Sequence, residues 1–366
     1  MSYNLSYKNI LLKNQEEFIN GFKNSLYGKT LSFIGKKIKA SAFKENDRFI
    51  ENKQIIRFIN DLQVRRYIQS WKIQLEKKDY LLRNPSVMEA IKKIKNQDNK
   101  QVYLSVACIV KNEGKYLKEW IEFHLAAGVE RFYIFDNESN DDTFEVLTPY
   151  IQQGIVIYVF FPGKKLQLHA YNIACELCKD TSNWLALIDA DEFLHPVEGN
   201  DLKLVLKDYQ SFPAVGVNWI VYGPCGHIAS PAGLLTENYR YTFKDKNNEL
   251  NCRIKSIVDP SMVLAVMSPH HCWYKNGKYA VDEDKDEIVG EAIYVRNSSM
   301  SCTMFNHTSR LRINHYWTKS EEELRIKCNR GYPDGHSNPD FTRILERLNF
   351  PLVEDWDSVR PFIRRV

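Results

Sequence analysis

The hydrophobic rhythm of the chain changes near residue 100. Before it, apolar side chains recur at helical spacing: Phe18, Ile19 and Phe22; Ile55, Phe58, Ile59 and Leu62; Val87, Ile91 and Ile94. After it, apolar runs alternate with amphipathic segments. Val102 to Val110 is an apolar run of the kind found in a strand covered on both faces. In the segment that follows, Leu117, Trp120, Ile121 and Leu125 share one helical face, with Asn112 placed to cap the helix and Gly128 to end it. Arg131 to Phe135 predicts a second strand, Thr143 opens a helix that stops at Gly154, and Ile155 to Phe161 predicts a third strand. Leu166 to Cys178 predicts another helix, and Trp184 to Ile188 a short buried strand. Such repeats imply an α/β fold with a mostly parallel sheet and flanking helices. Ligands of these sheets gather beyond the carboxyl ends of the strands. After Asp201 the alternation fades. Short strands such as Ala214 to Tyr222 are separated by Gly223-Pro224-Cys225-Gly226-His227 and Ser230-Pro231-Ala232-Gly233.

The rhythm divides the chain into a basic helical region (1–100), an α/β domain (101–335, in halves 101–200 and 201–335) and an extension (336–366). From Lys29 to Lys100 there are 18 Lys and Arg against 8 Asp and Glu. That surplus suits an anionic membrane or a polyanionic glycan, and equally a dimerisation surface or a plain solvated helical face. The whole-chain charge of +4 over 366 residues is too small to argue for nucleic acid. No apolar run is long enough to span a membrane, and the start at Met1-Ser2-Tyr3-Asn4-Leu5 lacks a signal-peptide pattern. The 8 cysteines show no paired framework, which fits free thiols in a reducing cytoplasm. Cys175 and Cys178 lie within a helical segment and are expected to pack in the core.

Candidate chemistry centres on Asp189-Ala190-Asp191-Glu192-Phe193, directly after a buried strand. Strand side chains alternate, so Asp189 and Asp191 are expected to point the same way at the sheet rim. Two carboxylates there can hold a hard divalent cation, which in turn can neutralise the phosphates of a nucleotide leaving group. Lys111-Asn112-Glu113-Gly114 and the loop from Asp136 to Asp142 should lie on the same edge.

Four segments in this order resemble the nucleotide-sugar half of GT-A fold glycosyltransferases. They are Ala107-Cys108-Ile109-Val110-Lys111-Asn112-Glu113, Phe135-Asp136-Asn137-Glu138-Ser139, Leu187-Ile188-Asp189-Ala190-Asp191-Glu192-Phe193 and Ile313-Asn314-His315-Tyr316-Trp317-Thr318-Lys319-Ser320. More narrowly, residues 102 to 332 resemble glycosyltransferase family 92 and the related bacterial family 2-like enzymes. The resemblance implies a GT-A (Rossmann-like) sheet and transfer of galactose or a similar hexose from a UDP-sugar. The acceptor would be a hydroxyl of a glycan or lipid-linked glycan, with inversion at the sugar and Mn2+ or Mg2+ as cofactor. The basic amino-terminal region adds an expected setting, bacterial surface-polysaccharide or lipopolysaccharide synthesis, in the cytoplasm or peripheral at the inner face of the membrane.

The same resemblance assigns residues. Val110, Asn112 and Glu113 would meet the base and ribose, with Asp136 and Asn137 beside the nucleoside; Asp136 can equally cap its own turn. Asp189 and Asp191 would share the metal and ribose contacts, and Glu192 would reach sugar hydroxyls. His315 would complete the metal shell, ahead of His270 and His271. Arg330 is expected on the diphosphate, with Lys319 and Arg325 as further candidates. Inversion calls for a general base, for which Glu237 and His227, beside the Gly- and Pro-rich loops, are the candidates, neither standing in a family motif. Trp219 and Tyr222 would stack on the acceptor from a wall built by the loops after Asp201, or else fill the core. Two rival functions use similar parts: a sugar-phosphate nucleotidyltransferase, whose Gly-rich loop the single-glycine Lys111–Gly114 turn lacks, and a catalytically silent glycan-binding scaffold.

Overall fold

The computed structural model describes residues 85–96, 101–275, 278–288, 301–303, 305–330, 340–348, 351–356, 359 and 362. Most of the basic amino-terminal region, and with it the anionic-surface expectation, lies outside the described residues; from that region only the helix Pro85–Asn96 is described. No described helix is long and apolar enough to cross a membrane.

Among the described residues eight strands form one sheet, in the order β3-β2-β1-β4-β8-β6-β11-β5. They are β1 (Val102–Val110), β2 (Arg131–Asp136), β3 (Val156–Phe160), β4 (Ser182–Leu187), β5 (Glu192–Pro196), β6 (Ala214–Val221), β8 (Ile254–Val258) and β11 (Leu311–His315), while β7 (Tyr241–Phe243), β9 (Val263–Val266), β10 (Cys272–Tyr274) and β12 (Leu352–Glu354) form two small pairs outside it. The first four run parallel in the 3-2-1-4 order of a Rossmann-like half. The other half is mixed: β8 is antiparallel to β4 and β6, and β11 is parallel to β6 and antiparallel to β5. Two large apolar cores among the described residues pack against the sheet. One packs Trp120, Phe123, Phe132 and Tyr316; the other packs Tyr133, Phe135, Tyr171 and Tyr274. Cys175 and Cys178 are free thiols buried in the second core, as their helical setting leads one to expect.

The first crossover shows how local sequence fixes the frame. In the helix Gly114–Ala126, Leu117, Trp120 and Ile121 are buried together, and Gly128, at a left-handed φ of 98°, ends it. Asn112 is not its cap. It sits in the left-handed region at φ 57°, and Glu113 takes the N-cap position without a side-chain capping bond. His124 ties this helix to β5: its Nδ1 donates to the Trp120 carbonyl at 2.7 Å and its Nε2 accepts from Leu194 N at 3.0 Å.

That neutral tautomer has a consequence for acid stability. Burial holds His124 down to about 3 and His195 down to about 4, against an ordinary value of 6.5. The unfolded chain therefore binds protons that the fold excludes, and stability falls as pH drops below 6.5 toward those values. At about pH 5 each ring is expected to withdraw up to about 2 kcal/mol. Urea midpoints at about pH 7 and about pH 5 check this; equal midpoints would mean that the rings are not kept proton-free.

The segment after residue 340 packs on the same body. Strand β12 (Leu352–Glu354) pairs antiparallel with β7 (Tyr241–Phe243), Arg312 bonds Asp355 at 2.6 Å, and the Phe362 ring lies 4.9 Å from that of Phe123.

Candidate active site

Strand β4 ends at Leu187, so Asp189, Ala190 and Asp191 form the turn into β5 rather than a strand end. The Glu192 N–H closes that turn on the Asp189 carbonyl at 3.1 Å. Side-chain alternation no longer governs the two aspartates, and they meet separate partners.

Asp189 faces the helix Gln167–Cys178 and strand β8. Its Oδ1 accepts from Gln167 Nε2 at 2.7 Å and Tyr171 OH at 2.8 Å, and its Oδ2 accepts from Lys255 Nζ at 2.8 Å. Lys255 is wholly buried, and its ammonium also lies 3.5 Å from Glu192 Oε2. Burial works against the charge on Lys255, but Asp189 and Glu192 outweigh it and raise its pKa above the ordinary lysine value. Glu192 departs from expectation. It is 0% exposed, its Oε2 accepts the Asp189 N–H at 2.9 Å, and burial lifts its pKa well above the carboxylate range. A carboxyl enclosed under the turn cannot reach sugar hydroxyls; it braces the turn.

Asp191 faces β11 and the helix Glu321–Arg330. His315 Nε2 lies 3.5 Å from its Oδ1, and Lys327 Nζ donates to its Oδ2 at 2.8 Å. Burial alone would raise the pKa of Asp191, but Lys327, His315 and Lys319 hold it well below the carboxylate range. Burial keeps His315 below its ordinary value despite the pull of Asp191. An ionised carboxylate therefore faces a neutral imidazole. His315 Nδ1 is buried without a hydrogen-bond partner.

The loops after β1 and β2 join this edge. Gly114 is needed there because a Cβ on it would lie 2.0 Å from Asp142 Oδ1 and 2.9 Å from Thr143 N. Asn112 Oδ1 accepts from Asn140 N at 2.8 Å, and Asn112 N donates to Ser139 Oγ at 2.9 Å. Asn112, Glu138 and Lys319, each on a loop that follows a sheet strand, adopt positive φ without being glycine, a conformation that clusters at functional sites. Two cations reach this turn from the far end of the domain. Lys319 Nζ binds Glu113 Oε2 at 2.8 Å, and Arg330 Nη1 donates to the Lys111 carbonyl at 2.7 Å and lies 3.6 Å from Glu113 Oε1. The segments expected to meet nucleotide and diphosphate are thus neighbours.

Other candidates divide. Asp136 is buried, accepting from Ser139 N at 2.9 Å and Tyr158 OH at 2.7 Å, which is the turn-capping alternative. Asn137 spends its amide on the Phe161 and Gly163 carbonyls, and its N–H donates to the Val110 carbonyl at 2.8 Å. Tyr222 is 1% exposed, stacked on Tyr316 and bonded to Arg312, so no face is open to a sugar. Trp219 is half-buried, its ring 4.2 Å from that of His315 and 5.2 Å from that of His270. His270 bonds the Ile254 carbonyl, and His271 bonds Ser268 and Ser301, away from the Asp191 carboxylate contacts. Arg325 lies over the Phe341 ring. His227 Nε2 donates to the Asn238 carbonyl at 3.2 Å, leaving Nδ1 to take a proton. Glu237 is half-buried on the short helix Leu235–Asn238, which Glu119 anchors by accepting from Leu235 N, Thr236 N and Thr236 Oγ1.

Sequence reasoning missed Lys255, Lys327, Gln167 and Tyr171. None stands in a motif; each becomes visible only when strand order and helix packing bring it to an aspartate.

Among the described residues no group of three or more His, Cys, Asp or Glu side chains gathers as a metal cage. Asp189 bonds Gln167, Tyr171 and Lys255 while Asp191 faces His315 and Lys327, so the two aspartates take separate partners rather than the shared set that strand alternation implies. The pair that fits a divalent cation is Asp191 with His315. One is an ionised oxygen donor, the other a neutral nitrogen donor, and they already face each other.

A family model described as "Glycosyltransferase family 92" matches residues 100–328. Among curated relatives, a glycosyltransferase family 92 protein of Arabidopsis thaliana is 29% identical over 203 residues, covering 52% of this chain and 34% of that one. One of Oryza sativa subsp. japonica is 28% identical over 178 residues, covering 48% and 30%. The matches therefore span about a third of those relatives' lengths. Among solved structures, S. aureus TarS 1-349 in complex with UDP aligns with a TM-score of 0.30 at 14% identity, over 44% of this chain and 48% of that chain. Glucosyl-3-phosphoglycerate synthase from Mycobacterium tuberculosis, in complex with Mn2+, UDP and glucosyl-3-phosphoglycerate, aligns at 0.20 and 15% identity, over 37% and 48%. Likenesses that slight carry no functional weight.

Proposed function

The chain belongs to glycosyltransferase family 92, and from that premise we propose that it moves a hexose, galactose or a close relative, from a UDP-sugar to a glycan hydroxyl with inversion. The observation that carries the reading is the meeting of Asp191, His315 and Lys327 at the sheet rim, beside Lys319 and Arg330 on the Lys111–Glu113 turn. A diphosphate needs such a concentration of positive charge around fixed ligands, and a core ion pair does not.

Asp191 and His315 would hold a divalent cation, Mn2+ or Mg2+. When bound, it supplies Lewis-acid neutralisation of charge on the departing diphosphate. Lys319 and Arg330 orient that diphosphate over the turn. Glu237, or His227 through Nδ1, takes the proton of the acceptor hydroxyl as its oxygen bonds the anomeric carbon. The bond from that carbon to the diphosphate breaks, and the nucleotide leaves with the electron pair. Trp219 offers an apolar ring face beside His315 for the incoming sugar. The rival nucleotidyltransferase lacks support here, since the turn after β1 is closed by Gly114 packing on Asp142 rather than opened by a glycine run.

The test is a panel of nucleotide sugars given to the purified chain with Mn2+ and a mixture of oligosaccharide acceptors. Release of UDP from one donor, with a product of inverted anomeric configuration by NMR, is expected. A folded chain silent toward every donor would overturn the proposal, and exchange dependent on pyrophosphate would move it to nucleotidyl transfer.

A further inference from the structure

The two oxygens of Asp191 are served by different elements. Oδ1 faces His315 on β11, while Oδ2 takes a hydrogen bond from Lys327 on the helix Glu321–Arg330. The same ammonium donates to the Trp317 carbonyl at 2.8 Å. Both side chains are largely enclosed, Lys327 at 20% and Asp191 at 14% exposure. The helix itself is pinned at its start. Glu321 N and Glu322 N donate to the His227 and Ile228 carbonyls, and Ser320 Oγ donates to Glu323 Oε2 at 2.7 Å. The backbone of Lys327 is therefore fixed, and only its flexible four-carbon arm has freedom to change partner.

A carboxylate already neutralised by an ammonium has less to offer a second cation. A divalent ion between Asp191 and His315 would sit against Lys327, where like charges repel strongly in a partly dry site. Arg330 stands three positions further along, on the same helix face, and its guanidinium reaches the Lys111–Glu113 turn. An ammonium released from Asp191 thus has a nearby destination wherever an anion occupies that turn. Lys255 has no such freedom, being wholly buried between Asp189 and Glu192.

Building on the glycosyltransferase reading above, we propose that Lys327 is a displaceable counter-ion. It occupies Asp191 when no divalent cation is bound, and it passes to the diphosphate when metal and donor bind together. Lys327 then contacts the leaving group directly, and metal and nucleotide bind cooperatively because each removes a cost of binding the other.

Calorimetry on the full chain decides this, with Mn2+ alone, with UDP alone and with both. Wild type is expected to bind Mn2+ weakly alone and more tightly with UDP present. In Lys327→Met and Lys327→Gln, Mn2+ alone should bind about tenfold tighter or more, because a competing charge has gone. UDP affinity at saturating Mn2+ should fall about tenfold, and the coupling between the two should shrink. Lys327→Gln keeps a donor for the Trp317 carbonyl and carries the measurement if Lys327→Met does not fold. A Mn2+ affinity unchanged or weakened in the folded variants would overturn the exchange and leave Lys327 as a strut. A wild type that binds neither Mn2+ nor UDP would instead take down the glycosyltransferase reading, and this inference with it.

Discussion

Asp191→Asn is expected to lower donor turnover by about two to four orders of magnitude in a protein that still folds. The amide matches the carboxylate in size, so packing around the turn survives. The loss is electrostatic. Asp191 is the group on which His315, Lys327 and, at longer range, Lys319 converge, and those positive neighbours keep it ionised despite burial. A neutral amide is a poor ligand for a hard cation and leaves His315 as the single protein donor. Steady-state release of UDP, read alongside a thermal melt, checks the claim. Full turnover in a folded Asp191→Asn protein would remove Asp191 from the chemistry and with it the proposed placement of the cation.

Lys255→Met is expected to destabilise the fold by about 3–5 kcal/mol, because two carboxylates then lose their buried partner. Asp189 and Glu192 lie 2.8 and 3.5 Å from that ammonium, and Glu192 has no exposure to water. Burial already raises the Glu192 pKa, and without Lys255 it rises further. An acid whose folded pKa lies above its unfolded value gains stability as pH falls through the folded value. The deficit of Lys255→Met relative to wild type should therefore shrink on mild acidification. Adding Glu192→Gln to Lys255→Met should recover part of the loss at neutral pH. Urea unfolding of the single and double variants measures both effects; a single variant within about 1 kcal/mol of wild type would show that the network is not held by charge.

The parallel half of the sheet was legible because its strands are apolar on both faces and its crossover helices carry clear stripes and stops. Gly128 and Gly154 end helices where their left-handed backbone is needed, and that is a local property. The site was legible only in part. Asp191 and His315 stand in short motifs, and β11 lies antiparallel to β5 so that His315 pairs with Glu192 in register. The shared face for Asp189 and Asp191 failed because the strand stops two residues before Asp189 and a turn re-aims both side chains. Glu192 is expected at the sugar hydroxyls because nothing local reveals that Lys255 will be buried against it. Of the two readings of Tyr222 the core one holds, because a later segment supplies Arg312 to its hydroxyl and a stacked Tyr316 to its ring. Such long-range partnerships have no periodic trace in the chain.

Gly114 has a practical corollary for protein engineering. Since a Cβ at position 114 would press on Asp142 Oδ1 and Thr143 N, the lips that follow β1 and β2 meet there without room for a side chain, and a library that varies Gly114 would mostly sample broken proteins. Diversity aimed at the proposed acceptor belongs instead in the stretch from Gly223 to Gly233, where a methyl grafted onto Gly223, whose backbone is not left-handed, meets only Leu348 Cδ1, at 3.9 Å.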